Sequence, residues 1–214
     1  KVAPIWANCT SHSAVHSAFA PASSRTVGVS APGHGIGVAI AGKLIGINPF
    51  DQPNVQESKE NTKALLARFA KDGILPGLNT LVTLEGLTFS VAPDDSTLSI
   101  SGSDRDAAVE LLRAHFARVK PRDYIAITQY FDERMSRDDT IQDMRIHLRD
   151  TLKVATTTGY GPRSLHSTGQ LHKGGSDSGV FLQLTATDGI DAAIPGEAFG
   201  FATLVAAQAL GDFQ

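Results

Sequence analysis

The run from Asp123 to Thr157 constrains the fold more than any other part of the chain. Asp123 to Tyr130 carries the unbroken stretch Tyr124-Ile125-Ala126-Ile127, the pattern of a strand buried on both faces. A helical repeat follows from about Asp138 to Lys153. Ile141, Met144, Leu148 and Leu152 recur on its inward side, and His147 sits on the solvated flank. Val154-Ala155-Thr156-Thr157 is then the next strand. Strand, helix and strand of these lengths predict a βαβ crossover, and therefore a parallel sheet. Gly179 to Thr185 predicts one more strand. Glu197 to Gly211 predicts an Ala-rich helix with Phe199, Phe201, Leu204 and Leu210 as its apolar members. The expected class is α/β.

The earlier chain fits around this unit. A short apolar helix is expected over about Ile36 to Leu44, and a longer one from Gln56 to Lys71, stopped at Gly73. Residues 81–101 read as β, in the runs Leu81–Leu84, Leu87–Val91 and Thr97–Ile100, broken by Gly86 and Pro93-Asp94-Asp95. Leu87, Phe89 and Val91 alternate, which predicts a half-buried hairpin or meander inserted between two α/β parts. Ser103 is placed to cap a helix from Asp104 to Lys120, with Val109, Leu112, Phe116 and Val119 inward. Residues 1–34 show no lasting period and read as loop, disorder or a packed irregular segment, apart from a domain over 35–214. His12 and His16 have helical metal-ligand spacing, but no acidic residue or cysteine stands near them at useful spacing, so no metal is expected. Gly33-His34-Gly35-Ile36-Gly37 lacks both a preceding strand and a following Lys-Ser/Thr, so it does not read as a nucleotide loop.

Composition narrows the partners. The net charge is −3 with 19% charged residues, so nothing draws the chain to nucleic acid in general. No apolar run approaches the roughly 20 residues of a membrane span. A single cysteine, Cys9, forms no internal disulfide, which fits a reducing, cytoplasmic setting.

Two stretches carry the chemistry. In the first, Pro49 and Pro53 bracket Phe50-Asp51-Gln52 in a stiff, non-helical loop that runs into a helix start. Val55, Lys59, Thr62, Leu66 and Phe69, with Leu65 beside them, share one helical face. Lys59 is the anomaly on that stripe. Either it extends its ammonium to water, or it emerges in a cleft beside Asp51-Gln52 where it can serve proton transfer. The second stretch, Thr158 to Gly175, follows a predicted strand, where open α/β sheets place their ligand crevices. It gathers Arg163, His166, Ser167, Thr168, Gln170, His172 and Lys173. Hydroxyls and backbone N–H groups suit a phosphate, and histidine moves protons near neutral pH.

Asn48-Pro49-Phe50-Asp51-Gln52-Pro53-Asn54-Val55-Gln56-Glu57-Ser58-Lys59 resembles a signature of the phosphoglucose isomerases. Leu165-His166-Ser167-Thr168-Gly169-Gln170-Leu171-His172-Lys173-Gly174-Gly175 looks like the isomerase part of bifunctional transaldolase/glucose-6-phosphate isomerases. Val38 to Gly46 is similar to the helix that precedes the first motif in the family. The resemblance covers roughly residues 38–214, apart from the β-rich insert near 81–101. It implies a three-layer sugar isomerase (SIS-like) fold with a parallel sheet. It implies interconversion of glucose 6-phosphate and fructose 6-phosphate, in glycolysis and gluconeogenesis, with no metal or organic cofactor. Lys59 maps onto the family's active-site lysine, and Gln52 onto the glutamine near the sugar phosphate. Within the second stretch, His172 or His166 is the candidate for ring opening. Arg163 is a candidate for stabilising anionic charge, Ser167 and Thr168 for phosphate contacts, and Gln170 for the substrate wall. The family's carboxylate base lies in a Glu-Ser-x-Gly-Lys segment that residues 1–47 do not contain. In ordinary short bacterial isomerases the Leu-His-Ser-x-Gly-Gln segment precedes the Asn-Pro-Phe-Asp-Gln-Pro motif, whereas here it follows. The expected partners are a sugar phosphate and either a second copy of the chain or the remainder of a longer isomerase. The competing expectation is a non-catalytic sugar-phosphate-binding or dimerisation module of the same fold.

Overall fold

The computed structural model describes residues 5–9, 31–93, 95–133, 135–187 and 191–214. Strands β1 (Ile5–Cys9), β2 (Asn79–Leu84), β3 (Leu87–Val91), β4 (Tyr124–Tyr130), β5 (Ala155–Tyr160) and β6 (Gly179–Ala186) form one sheet in the order β2-β3-β1-β6-β4-β5. β1, β6, β4 and β5 are mutually parallel, and β3 runs antiparallel to both β1 and β2. The helices are α1 (Ala31–Ile45), α2 (Pro53–Asp72), α3 (Arg105–Phe116), α4 (Met135–Leu152), α5 (Gly169–Gly174) and α6 (Phe201–Phe213). The class is therefore α/β: a mixed, mostly parallel six-stranded sheet flanked by helices.

The βαβ unit forms as the periodicity predicts, with Ile125 opposite Thr156 and Ile127 opposite Thr158 across the β4–β5 pair. Side chains alternate between the two faces of β4. Ile125 and Ile127, with Val180 of β6, pack on one face under Ile141, Met144 and Leu148 of α4 and Phe116 of α3. Tyr130, and Gln183 of β6, which pairs with Thr128, point to the other face. There Gln183 Nε2 donates to the Ala209 carbonyl of α6 at 2.8 Å. α2 lies on α6 through Leu65, Ala207 and Leu210, and it also meets α5.

Four details differ from the sequence reading. The β2–β3 hairpin is not a separate insert. Its turn residues Glu85 and Gly86 both take positive φ, as a two-residue turn requires, and β3 then pairs with β1 to extend the main sheet. Thr97 to Ile100 is no strand. Leu98 drops into the core beside Val82, Phe89 and Leu111 instead. Residues 5–9 form β1 between β3 and β6, with Ile5 and Ala7 buried, so part of the illegible N-terminal segment lies inside the sheet. Five residues are too few to show a period. Asp104, not Ser103, caps α3, accepting from Ala107 N at 2.8 Å. His12 and His16 lie outside the described residues.

α2 begins with Gln52 as its cap and Pro53 in its first turn, and stops at Gly73, whose φ of 74° is left-handed. Its buried residues are Val55, Ser58 and Leu65, while Lys59 is exposed. The stripe is thus centred one position earlier than the apolar letters suggest, because a serine occupies a core position. α1 is apolar but open to solvent. Ile36, Val38, Ile40, Leu44 and Ile45 are all exposed, and Gly42 alone among residues 35–45 is buried, under Pro49.

Candidate functional site

The parallel strands all end on one side of the sheet, and the second polar stretch leaves from there. Gly161 follows β5 and donates its N–H to the Gln129 carbonyl at 2.8 Å. The Gly161–Pro162 peptide is cis. A Cβ on Gly161 would stand 2.1 Å from Tyr130 Cζ, so only glycine lets the loop ride over that ring. A single 3₁₀ turn, Arg163–His166, comes next. Arg163 Nη2 meets Glu133 Oε2 at 2.7 Å, and its guanidinium lies 5.9 Å from the Tyr160 ring centre. The Tyr160 hydroxyl donates to Asp138 of α4. Burial, helped by that carboxylate, raises the Tyr160 pKa, so the phenol stays protonated.

His166 and Ser167 are exposed, and Thr168 is half-buried. The Ser167 and Thr168 hydroxyls both donate back to the Ser164 carbonyl, at 3.0 and 3.4 Å. As folded, these hydroxyls close their own turn. His172 has a different environment. Its Nδ1 lies 2.8 Å from the Tyr124 hydroxyl, its ring stacks on Tyr124, and the edge of Phe181 meets it at 5.3 Å between centres. Burial, and secondarily the neighbouring Lys173 charge, lower its pKa, so the imidazole is neutral at pH 7.

The two stretches singled out in the sequence are docked together. Gln170 Nε2 donates to Asn54 Oδ1 at 2.7 Å, and Asn54 N donates to Gln170 Oε1 at 3.3 Å, across 116 residues of chain. Gly174 packs so closely here that a Cβ would stand 2.2 Å from Asn54 Oδ1. Asn48 shapes the preceding loop by accepting from Phe50 N at 3.1 Å. Gln52 is exposed at the head of α2, and Lys59 is exposed one and a half turns into it.

Beneath this surface lies a buried polar junction that the sequence reading did not single out. The Asp212 carboxylate of α6 accepts from the Ser58 hydroxyl of α2 and the Tyr130 hydroxyl of β4. Lys173 Nζ of α5 lies 3.3 Å from Asp212 Oδ1 and donates to the Asp212 carbonyl at 3.2 Å. The signal available was slight: an aspartate within the otherwise apolar Ala209-Leu210-Gly211-Asp212-Phe213, and a serine on a core stripe.

Among the described residues there is no group of three or more His, Cys, Asp and Glu side chains suited to a metal ion. No described helix is long and apolar enough to cross a membrane. The chain matches no protein-family model, and neither a curated protein nor a solved structure shows significant similarity to it.

Proposed function

We propose that the chain forms a sugar-phosphate site and serves the interconversion of glucose 6-phosphate and fructose 6-phosphate through an enediol(ate). The observation that carries this reading is the reciprocal Asn54–Gln170 pair, which docks the two isomerase-like stretches against each other. A sugar isomerase (SIS-like) core is the finer reading of the α/β sheet. Lys59 and Arg163 supply cationic charge for an anionic substrate and its enediolate. Gln52 offers an amide beside the phosphate. His166 is the stronger ring-opening candidate, since it is exposed whereas His172 is engaged by Tyr124. Ser167 and Thr168 would contact phosphate only after turning away from Ser164, and Gln170 acts through Asn54 rather than by direct contact. The chemistry as read calls on no metal or organic cofactor.

The test is a coupled assay of glucose 6-phosphate formation from fructose 6-phosphate. Turnover abolished by Lys59→Ala supports the isomerase; absence of turnover with retained fructose 6-phosphate binding supports the second reading, a non-catalytic binding module. That second reading is favoured by one observation: Glu133, a carboxylate three residues beyond β4, is paired with Arg163. A second copy of the chain, or the rest of a longer isomerase that also carries transaldolase activity, would supply the missing base. The exposed apolar side of α1 would suit such a neighbour. A cytoplasmic setting accords with this chemistry.

A further inference from the structure

One carboxylate, that of Asp212, bonds α2, β4 and α5, and reaches the Arg163–His166 turn through the Tyr130 ring. Ser58, which donates to Asp212, immediately precedes Lys59 on α2. Lys173, which pairs with Asp212 at 3.3 Å, follows His172 and lies less than one turn beyond Gln170 on α5. Tyr130, the third donor, ends β4 just before the loop to Glu133, and its ring supports Gly161 at the start of the Arg163–His166 turn. The Asp212 side chain is only 6% exposed and that of Lys173 18%. Both carboxylate oxygens are occupied by protein donors, so a substrate proton has no route to them. Asp212 therefore does not fill the place of the missing base.

We propose that Asp212 is a positioning residue of the candidate site: by holding Ser58, Tyr130 and Lys173 at once, it sets Lys59, the Arg163–His166 turn and Gln170 in mutual register. This rests on the sugar-phosphate reading for its functional consequence, but not for the existence of the junction. A buried ion pair of this kind adds little net stability while fixing one geometry, and removing one partner strands the other.

The experiment uses the full chain at a temperature where circular dichroism shows each variant folded. Fructose 6-phosphate binding is measured by calorimetry for the wild type, Asp212→Asn, Lys173→Met and Lys173→Arg. The expected result is an affinity loss of about tenfold or more for Asp212→Asn and Lys173→Met, with Lys173→Arg within about threefold of wild type because it keeps the charge. Unchanged affinity in folded Asp212→Asn and Lys173→Met overturns the inference, as does equal loss in Lys173→Arg. Should Asp212→Asn not fold, Ser58→Ala, which removes one donor, is read in its place by the same criterion. If the wild type binds no sugar phosphate, the site reading fails and the junction is judged by amide hydrogen exchange. Faster exchange in Asp212→Asn confined to Val55–Lys59 and Gln170–Gly174 then supports it. A uniform change, or none, overturns it.

Discussion

At the scale of single residues, the buried polar groups make the sharpest claims. His115 on α3 is fully buried, its Nε2 donates to the Phe181 carbonyl at 3.0 Å, and its Nδ1 has no partner among the described residues. Burial, with the Arg118 charge second, lowers its pKa to about 4, against opposing contributions from the Phe181 carbonyl and Asp95. The unfolded chain, with an ordinary histidine pKa near 6.5, then binds the proton more readily than the folded one. Stability from this group is full above about pH 6.5 and falls as the pH drops towards 4, by about 3 kcal/mol in all. Urea titrations across that range should show the slope, and His115→Gln should flatten it while keeping a donor to Phe181. Tyr130→Phe should cost about 1–3 kcal/mol, because it removes one donor from the buried Asp212 carboxylate. Gly161→Ala should cost more than Tyr130→Phe in the same unfolding measurement, since its Cβ enters the Tyr130 ring rather than merely losing a bond. These residues were barely legible in the sequence. A core serine and an aspartate at the end of a helix look like surface letters until the fold shows what they face. Lys59 was legible as an anomaly, and its exposure answers the anomaly: it lies beside the buried stripe, with Ser58 in the core position.

At the scale of elements, periodicity served well where a segment was long and packed on one side. β4 and α4 lie close to their expected places because apolar residues recur over the whole length of each, and β5, rich in β-branched threonine, follows where the helix ends. It failed for β1, where five residues give no period, and for the hairpin, whose alternation revealed a strand but not which sheet it would join. The docking of α2 on α5 depends on side-chain amides rather than apolar spacing, so only the structure could reveal it. Gln170→Ala should destabilise the fold by about 1–2 kcal/mol through the loss of both bonds to Asn54, read as a shift of the urea midpoint without a change of slope. Gly174→Ala should be worse than Gln170→Ala, because the added methyl forces Asn54 and Gln170 apart instead of leaving a gap.

At the scale of the whole molecule, apolar surface is unevenly placed. Most helices bury one face, yet α1 leaves Leu44 82% and Ile45 71% exposed. A helix apolar on all sides is normally covered by protein. Dye binding at apolar surfaces should therefore be strong in the native state, and Ile40→Glu with Leu44→Glu should reduce it without lowering the melting temperature. The candidate site lies elsewhere, where α2, α5, α6 and the end of β4 converge on Asp212. Its polar letters were visible in the sequence, but their grouping around Asp212 was not, since it arises from contacts between residues that stand 39 to 154 positions apart in the chain. The measurement that bears most directly on this account is calorimetric titration of fructose 6-phosphate into the wild type, Lys59→Ala, Arg163→Ala and a control, Lys63→Ala, which alters another exposed cation on α2. The account predicts binding by the wild type, losses of about tenfold or more in Lys59→Ala and Arg163→Ala, and no change in Lys63→Ala. Absence of binding by the wild type, or equal losses in all three variants, would contradict it.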